Sequence, residues 1–356
     1  MQQEIYDQIL KFQKLEKADP KTNEEDRAFF LKKFTWENSP LSLEEREECE
    51  KLLVEYSDIF AKHRFDVGYN TELKIKLTPE HELPVYVQGP PTPIHLRDEL
   101  HIELALMHYY GLITTLSQSK YSSPLFAHRK ESGKLRILID LRRVNHLLKT
   151  DYQNANFPIS NMADATSHFA GKTLFTKLDC SQAYHCVQMA DETSVQLLAF
   201  NFASRTYAYK CLAQGLSKSV TGFSAFVRHY LDPCLAAGLC TQFMDDIGSA
   251  VADFSDLIPS LRKIFDCVRK SGLKLSPEKC EIAASSIKFL GNTITKEGIS
   301  PQSEKNRKIS EENLNAEDNE TSEETDWLCP IFQKFHPKFE RKITPVLSIT
   351  QKRSRI

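Results

Sequence analysis

The feature that most constrains the fold is a pair of adjacent acidic residues, Asp245 and Asp246, inside an otherwise apolar and small-residue run over 239–252. Apolar residues on both sides predict two short strands, so the acidic pair would lie in the tight turn between them. A turn exposes both side chains and holds them still, which suits the binding of divalent cations. Such a pair is also typical of an ordinary solvated turn, because Asp accepts hydrogen bonds from its own backbone there.

A third acidic residue fits the same pattern. Asp179 ends the strand-like run over 173–178. Three carboxylates from two strand ends could hold two Mg²⁺ ions about 3.5–4 Å apart, the arrangement used for in-line phosphoryl transfer. An Asp at the end of a strand is common, so this hypothesis depends on the elements that lie between the three acids.

Those intervening segments predict the order β-α-β-β-α-β, a ferredoxin-like unit. The strand that carries Asp179 is followed by a hairpin over 197–212, taken as an insertion, and by a helix over 217–231 with apolar residues at i, i+3, i+4, i+7 and i+8. The acidic hairpin follows, then a helix over 255–270 and a strand over 273–276. This order would place Asp179 beside the acidic hairpin in one sheet.

Composition limits the class of protein. The chain has 356 residues, of which 41% are hydrophobic and 26% charged, enough for a large core or for two to three subdomains. No apolar run approaches the length of a membrane span, and the N-terminus lacks the apolar stretch of a signal peptide. Nine scattered cysteines without a Cys-x-x-Cys pair favour free thiols over disulfides or a zinc site. We therefore expect an intracellular protein, cytoplasmic or nuclear and not secreted.

A basic segment stands out in a chain whose net charge is only −2. Residues 120–151 carry eight Lys or Arg against three acidic residues. They include a predicted hairpin over 124–139 with charged residues at its tip. Such a segment can bind phosphates although the whole chain is nearly neutral. Charge alone fits a solvated surface equally well.

Several motifs occur together in one order. They are Ser122-Ser123-Pro124, an R-x-x-x-D-x-R-x-x-N pattern from Arg136 to Asn145, Phe157-Pro158-Ile159, the run 178–185 around Asp179, Gln214-Gly215, Phe243-Met244-Asp245-Asp246, the run 274–280, and Phe289-Leu290-Gly291. In order and spacing, over about residues 50–300, they resemble the reverse transcriptases of retroviruses and, more closely, of Ty3/gypsy-type LTR retrotransposons.

The resemblance implies an α+β fold, a right-hand polymerase with fingers and a palm built on the ferredoxin-like unit, and a truncated or degenerate thumb. It implies an RNA-directed DNA polymerase that adds dNTPs to a primer 3′-hydroxyl by a two-metal mechanism. The cofactors would be two Mg²⁺ ions, for which Mn²⁺ can substitute. The partners would be an RNA or DNA template with its primer, and dNTPs, with no membrane; oligomeric state stays open.

The resemblance also implies roles for individual residues. The catalytic and metal-binding residues would be Asp179, Asp245 and Asp246, with the main-chain carbonyl of Cys180 as a further metal ligand. Nucleotide binding would fall to Arg129, Lys130, Arg136, Cys180, Ala183, Tyr184, Gln214, Gly215 and Met244, and primer binding to Phe289, Leu290 and Gly291. Tyr184 matches the aromatic residue that excludes a ribose 2′-hydroxyl, which favours dNTPs. Lys279 is a candidate for protonating pyrophosphate, or a simple surface lysine.

The same comparison divides the chain. We expect a helical lead-in over 1–68, fingers and palm over 69–300, an acidic disordered segment over 301–326 and a remnant of the thumb or connection over 327–356. The acidic segment contains too few apolar residues to pack or to hold a duplex.

Two departures from the family pattern keep a rival hypothesis open. Ala213 and Val220 stand where the family has prolines, and their loss would loosen a loop near the nucleotide and lower activity. The alternative is therefore a catalytically impaired retroelement relic that binds only nucleic acid or a protein partner. RNA-templated RNA synthesis is a further alternative, against which Tyr184 argues, and a two-metal nuclease is another, disfavoured by the fingers and primer motifs.

Overall fold

The computed structural model describes residues 1–81, 83–130, 133–148 and 161–301. The chain forms two compact units, Met1–Phe289 and Leu290–Ile356. Residues 1–68 and the central sheet both lie in the first unit. Within the described ranges, no helix has the length and apolar character that crossing a membrane requires.

The helices and strands of the described residues follow in chain order. The helices are α1 (Gln2–Lys17), α2 (Glu24–Leu31), α3 (Leu43–Glu55), α4 (Ile94–Tyr109), α5 (Arg142–Leu147), α6 (Met162–Ser167), α7 (Glu192–Leu197), α8 (Ser217–Ala236) and α9 (Phe254–Ser271). The strands are β1 (Lys74–Ile75), β2 (Val85–Tyr86), β3 (Ile113–Leu116), β4 (Tyr121–Ser122), β5 (Leu125–Arg129), β6 (Leu135–Ile139), β7 (Leu174–Asp179), β8 (Gln188–Met189), β9 (Ala199–Phe202), β10 (Arg205–Tyr209), β11 (Thr241–Phe243), β12 (Asp246–Val251), β13 (Glu281–Ala284), β14 (Ser286–Phe289), β15 (Asn292–Thr295) and β16 (Gly298–Pro301).

A four-stranded antiparallel sheet in the order β11-β12-β7-β13 forms the centre of the first unit. Helix α8 connects β7 to β11, and α9 connects β12 to β13, so the chain follows the expected β-α-β-β-α-β order. The buried face of α9, which includes Leu261, Ile264 and Phe265, reflects its strong 3.6-residue periodicity. Helices α8 and α9 pack against each other beside this sheet.

The fourth strand of this sheet is not where the sequence predicts it. Residues 273–276 form only isolated bridges, in which Leu275 lies between Phe60 and Cys180. A 3₁₀ turn, Pro277–Lys279, then redirects the chain, and β13 takes the place beside β7. The prediction of a strand over 273–276 is therefore wrong, because Leu275 is used to join the N-terminal segment to the end of β7.

The N-terminal helices pack directly on α9. Ser42 and Glu45 form the capping box expected at the start of α3. Phe60, which follows that helix, packs edge-on against Phe265 of α9, with ring centroids 5.9 Å apart. This aromatic contact joins the lead-in to the helices behind the sheet.

Two hairpins predicted from the sequence are present. Strands β9 and β10 pair through a turn at Ala203 and Ser204, both of which have positive φ, as a type I′ turn requires. Strands β5 and β6 pair from Leu125↔Ile139 to Arg129↔Leu135. In the second unit, β15 pairs with β16 in an antiparallel hairpin.

Candidate active site

The acidic pair lies at the tip of the β11–β12 hairpin. Phe243 pairs with Asp246, so Met244 and Asp245 form a two-residue turn. Asp245 is exposed, whereas Asp246 is the first residue of β12 and is half-buried. The prediction that both acids lie in the turn is therefore half right. One acid is presented by the turn and the other by the strand, which gives the two carboxylates different surroundings.

The backbone of this turn is strained and held. Met244 has a φ of 53°, a left-handed conformation that costs a non-glycine residue about 1 kcal/mol or more. The buried side chain of Gln242 donates a hydrogen bond of 2.7 Å from Nε2 to the Met244 carbonyl. This bond stabilises the turn and thereby fixes the position of Asp245.

Asp179 and Asp246 come together as the sequence predicts. They are direct partners in the antiparallel pairing of β7 with β12, so their side chains leave the same face of the sheet. Burial raises the pKa of Asp246, Lys177 opposes that rise, and the neighbouring charges of Asp245 and Asp179 add to it. The three carboxylates thus form one electrostatic cluster at the end of two paired strands.

Two lysines neutralise part of this cluster. Lys177 Nζ lies 3.3 Å from Asp246 Oδ1, with only 19% of its side chain exposed. Lys279 Nζ lies 3.1 Å from Asp179 Oδ1 and is largely exposed. Lys279 is therefore placed at the site, whereas sequence reasoning missed Lys177. The signal for Lys177 was available, because it stands two residues before Asp179 and alternation puts both on one face of β7.

Cys180 follows Asp179 directly and is buried. Cys180 lies opposite Leu275, and the hydrogen bonds of this bridge are formed by the flanking residues. Ser181 N donates to the Lys274 carbonyl, and Ser276 N donates to the Asp179 carbonyl. The carbonyl of Cys180 consequently points away from Leu275, toward the side on which β12 pairs with β7. Burial raises the pKa of the Cys180 thiol, with contributions from Cys280, Asp179 and Asp245.

Tyr184 lies on a short 3₁₀ helix, Ala183–Cys186, close to the acidic turn. Burial raises the pKa of its hydroxyl, and the charge of Asp245 raises it further. The ring packs against Phe223 of α8, with centroids 5.1 Å apart. Ala183 beside it is buried. The ring position of Tyr184 is therefore set by the core, beside the acidic cluster.

The Gln214-Gly215 loop is exposed and is held by a residue to which sequence analysis gave no role. Asn145 donates 3.0 Å from Nδ2 to the Gly215 carbonyl and accepts 2.8 Å from Ser217 N. The buried hydroxyl of Ser219 donates to the Ala213 carbonyl at 2.8 Å. Side-chain hydrogen bonds thus stabilise the loop in which a proline is replaced by Ala213. The other replaced position, Val220, lies in the first turn of α8 and not in the loop.

The three basic residues predicted to bind the triphosphate are not on one surface. Arg136 pairs with His128, whereas Arg129 pairs with Leu135, so the two arginines leave opposite faces of the β5–β6 hairpin. Arg129 forms an ion pair with Glu99 at 2.5 Å and donates to the Gly133 carbonyl at 3.0 Å. Arg136 and Lys130 are exposed. The structure therefore does not bring Arg129 together with Arg136.

Comparison with known proteins agrees with this geometry. Residues 128–294 match the family described as "Reverse transcriptase (RNA-dependent DNA polymerase)". This segment is a reverse transcriptase domain. The chain is 26% identical over 321 residues to the retrovirus-related Pol polyprotein from transposon 297 of Drosophila melanogaster, covering 89% of this chain and 30% of that protein. It is 26% identical over 243 residues to the transposon Tf2-3 polyprotein of Schizosaccharomyces pombe, covering 67% of this chain and 17% of that one.

These relatives place the reverse transcriptase domain among those of LTR-retrotransposon Pol polyproteins, and the chain spans less than a third of their length. Among solved structures, the chain resembles a foamy viral protease-reverse transcriptase in complex with dsDNA, with a TM-score of 0.76 and 20% identity over 91% of this chain and 56% of that one. This likeness shows a polymerase fold of mixed α and β structure.

Within the reverse transcriptase domain, Phe289 is part of the core and not of an exposed primer surface. Its side chain is fully buried and packs against Phe169, with ring centroids 5.1 Å apart. Primer binding by Phe289, Leu290 and Gly291 stays a prediction. Leu290 and Gly291 begin the second unit, and both have positive φ.

Several predicted features of the reverse transcriptase domain and its flanks lie outside the described residues. They are the Phe157-Pro158-Ile159 motif, two tip residues of the β5–β6 hairpin (131–132), the acidic segment beyond residue 301 and the expected remnant over 327–356.

The donor set of the reverse transcriptase domain fits a hard divalent cation. Asp179, Asp245, Asp246 and the Cys180 carbonyl offer only oxygen atoms, which Mg²⁺ and Mn²⁺ prefer. Across the described ranges, no three Asp, Glu, His or Cys side chains are close enough to hold a metal ion as they stand. The Lys177 and Lys279 ammonium groups instead lie at hydrogen-bond distance from two of the carboxylates. A cation would replace these contacts and relieve the repulsion among the three acids.

Proposed function

We propose that this chain catalyses RNA-directed DNA synthesis, adding dNTPs to the 3′-hydroxyl of a primer. The observation that carries the proposal is the direct pairing of Asp179 with Asp246, with Asp245 in the adjoining turn. The family match supports it, as do similar solved structures of the foamy viral protease-reverse transcriptase in complex with dsDNA and with an RNA/DNA hybrid.

In this proposal the β11-β12-β7-β13 sheet with α8 and α9 is a ferredoxin-like palm, and the β5–β6 hairpin belongs to the fingers. The thumb would be truncated or degenerate. The template with its primer would lie over the face of the sheet from which Asp179 and Asp246 emerge.

Asp179 and Asp245 would supply the main carboxylate ligands to two divalent cations, with Asp246 in support and the Cys180 carbonyl as a further ligand. When bound, Mg²⁺ or Mn²⁺ ions lower the pKa of the primer hydroxyl and neutralise charge on the triphosphate. Lys177 would keep Asp246 ionised, because its ammonium group opposes the effect of burial. Lys279, exposed and next to Asp179, would donate a proton to the leaving pyrophosphate.

The remaining residues would select and orient the nucleotide. Tyr184 would lie under the sugar and exclude a ribose 2′-hydroxyl. Its ring would keep this position because it packs against Phe223. Gln214 and Gly215 would contact the nucleotide from the loop that Asn145 holds. Arg136 and Lys130 would bind the triphosphate, since their side chains are exposed while Arg129 is paired with Glu99.

Primer extension on poly(rA)/oligo(dT) with Mg²⁺ or Mn²⁺ tests the proposal. We expect DNA synthesis by the unaltered chain and a loss of at least about 100-fold in Asp245→Asn, since the electrostatic role of the site would be removed. Asp232→Asn, at an exposed position on α8, is the matched control and should retain activity.

Two results would contradict the proposal. Equal background from the unaltered chain and Asp245→Asn, with retained binding of the RNA/DNA hybrid, would indicate a relic that only binds nucleic acid. Preferential incorporation of ribonucleotides would indicate RNA synthesis instead.

A further inference from the structure

Three cysteines cluster where α8 leads into the acidic hairpin. Cys234 lies in the last turn of α8, Cys240 lies just before β11, and Cys267 lies in the last turns of α9. The Cys234 and Cys267 sulfur atoms are 3.5 Å apart, close enough for a thiol hydrogen bond. To form a disulfide, the two sulfur atoms would have to move about 1.5 Å closer together.

We propose that Cys234 and Cys267 are an oxidation site, at which hydrogen peroxide converts the two thiols into a disulfide that joins α8 to α9. The site lies outside the catalytic machinery described above, and the proposal does not depend on polymerase activity. It assigns a role to three thiols that neither the fold nor the proposed mechanism uses.

The surroundings of the cluster make Cys234 the reacting thiol. The neighbouring Cys240 thiol lowers the pKa of Cys234 although burial opposes this, and Cys267 and the nearby Lys263 lower it further. Burial and the bond to Cys234 raise the pKa of Cys267. Thiolate character decides which cysteine reacts with peroxide. Cys234 is 2% exposed but touches the partly exposed Cys267, so only a small oxidant could reach it.

Other thiols of the described residues lack this combination. Burial is the largest cause that raises the pKa of five further cysteines, and among the described residues none of the five forms a sulfur–sulfur hydrogen bond like that of Cys234 with Cys267. They are Cys49, Cys180, Cys186, Cys211 and Cys280. A buried thiol whose pKa is raised has little thiolate character and is chemically inert. The reactivity should therefore be confined to the Cys234 cluster.

The chemistry has two balanced steps. The Cys234 thiolate attacks one peroxide oxygen, so that an S–O bond forms, the O–O bond breaks and a sulfenic acid is left. The departing hydroxide takes up the proton released when Cys234 ionised and becomes water. The Cys267 sulfur then attacks the Cys234 sulfur, so that the S–S bond forms, the S–O bond breaks, and the Cys267 proton leaves with the hydroxyl as water. Two thiols are oxidised, and one peroxide is reduced to two waters.

The crosslink would act on the strand that leads to the acidic turn. Leu239 N donates to the Cys234 carbonyl at 2.9 Å, so the chain reverses tightly after α8 and enters β11 within a few residues. A covalent bond between residues 33 apart also restricts the unfolded chain. We expect the thermal midpoint to rise by about 5 °C on oxidation.

Peptide mapping of the full chain tests the proposal without any assay of activity. The reduced protein is treated with hydrogen peroxide, blocked with N-ethylmaleimide and digested with trypsin. We expect peptides 229–262 and 264–269 to appear as one species linked by a disulfide, and to separate after dithiothreitol. Fragmentation of the linked species distinguishes Cys234 from Cys240, which share the longer peptide.

Two variants identify the roles of the partners. In the double variant Cys240→Ala/Cys267→Ala the sulfenic acid at Cys234 has no neighbouring thiol to resolve it, so dimedone labelling of peptide 229–262 should increase several-fold. Cys49→Ala is the matched control, since it removes a buried thiol from α3 and should leave the linked species unchanged. Recovery of Cys234 and Cys267 as separate maleimide adducts after peroxide would overturn the proposal, as would a Cys234–Cys240 disulfide in place of the expected one.

Discussion

Asp179 and Asp246 face each other directly across the antiparallel strands β7 and β12. Like charges at directly opposed positions destabilise a sheet, and burial makes ionised Asp246 costlier still, as its raised pKa shows. Only Lys177 and Lys279 offset this cost within the described contacts of the two carboxylates. The fold therefore holds a charge arrangement that folding alone would not favour, and this is typical of a functional site.

The first prediction concerns stability at this pair. A carboxyl whose pKa is raised in the folded state destabilises that state above the folded pKa, where it is ionised. Asp246→Asn should therefore raise the free energy of unfolding at pH 8 by about 1 kcal/mol, or the thermal midpoint by about 2–4 °C. Thermal melts of both proteins in EDTA check this. The gain should shrink as pH falls through the raised folded pKa of Asp246 and vanish below the unfolded value, near 4, where Asp246 is protonated in both states.

Asp232→Asn serves as the control for the melts, and its midpoint should stay within about 1 °C of the unaltered protein. A lower midpoint for Asp246→Asn than for the unaltered protein at pH 8 would show that Asp246 contributes net stability, contrary to the argument.

The second prediction concerns the pH dependence of DNA synthesis. Lys177 opposes the rise in the pKa of Asp246, so Lys177→Met should raise that pKa further. Activity that requires ionised Asp246 is lost as pH falls through its pKa. The acidic limb of the kcat profile should therefore move to higher pH in the variant. The control is Lys288→Met, at an exposed neighbouring position, which should leave the acidic limb in place. If the acidic limb of Lys177→Met also stays in place, Lys177 does not influence the ionisation that catalysis requires.

Much of the central sheet could be predicted from local patterns. Helices α8 and α9 follow clear apolar periodicities, and the hairpins β9–β10 and β11–β12 follow from alternation around short turns. Because β-α-β-β-α-β order then brings the first and third strands together, the meeting of Asp179 with Asp246 was predictable before the structure.

Other features depend on contacts that local patterns do not encode. Arg129 forms an ion pair with Glu99, which is 30 residues away, and no local pattern around the hairpin indicates this contact. Leu275 forms isolated bridges with Phe60 and Cys180, and the fourth strand of the sheet is Glu281–Ala284 instead of 273–276. Phe289 belongs to a motif, but its side chain packs in the core. In each case the local pattern describes the segment itself, but a contact with a residue distant in the sequence decides where the side chain lies.

The third prediction tests how the Gln214-Gly215 loop is held. Asn145→Ala removes both hydrogen bonds that join α5 to this loop, which should raise the KM for dNTP by about 5–30-fold while changing kcat less. Asn145→Asp keeps an acceptor for Ser217 N but loses the donor to Gly215, so its KM should be intermediate. Steady-state kinetics with varied dTTP measure this. Equal KM values in all three proteins would show that the loop is set by other contacts.

The fourth prediction concerns the choice of sugar. Tyr184→Ala removes the ring that Phe223 supports, so the preference for dTTP over UTP, measured as the ratio of kcat/KM values, should fall by at least about tenfold. Tyr184→Phe keeps the ring and removes only the hydroxyl, so it should retain the preference. A preference that falls equally in both variants would assign discrimination to the hydroxyl instead of the ring.

The fifth prediction concerns the attachment of the N-terminal segment to α9. Arg269 donates to both carboxylate oxygens of Asp58 at 2.7 Å, and Lys21 donates at 3.1 Å. Although burial opposes ionisation, these bonds lower the pKa of Asp58 to about 2. A depressed carboxyl pKa contributes stability above the unfolded value, near 4, that is lost as pH falls through about 2. Because 44% of the Asp58 side chain is exposed, solvent screening limits the contribution to about 1 kcal/mol.

Asp58→Asn should therefore lower the thermal midpoint by about 3 °C at pH 7, and the difference should close as the pH of the melts falls from 4 toward 2. Asp98→Asn, at an exposed position on α4, should show no such difference at any pH. A deficit in Asp58→Asn that persists unchanged at pH 2 would mean that Asp58 acts through packing or neutral hydrogen bonds, and that its ionic bonds to Arg269 and Lys21 do not hold the N-terminal segment against α9.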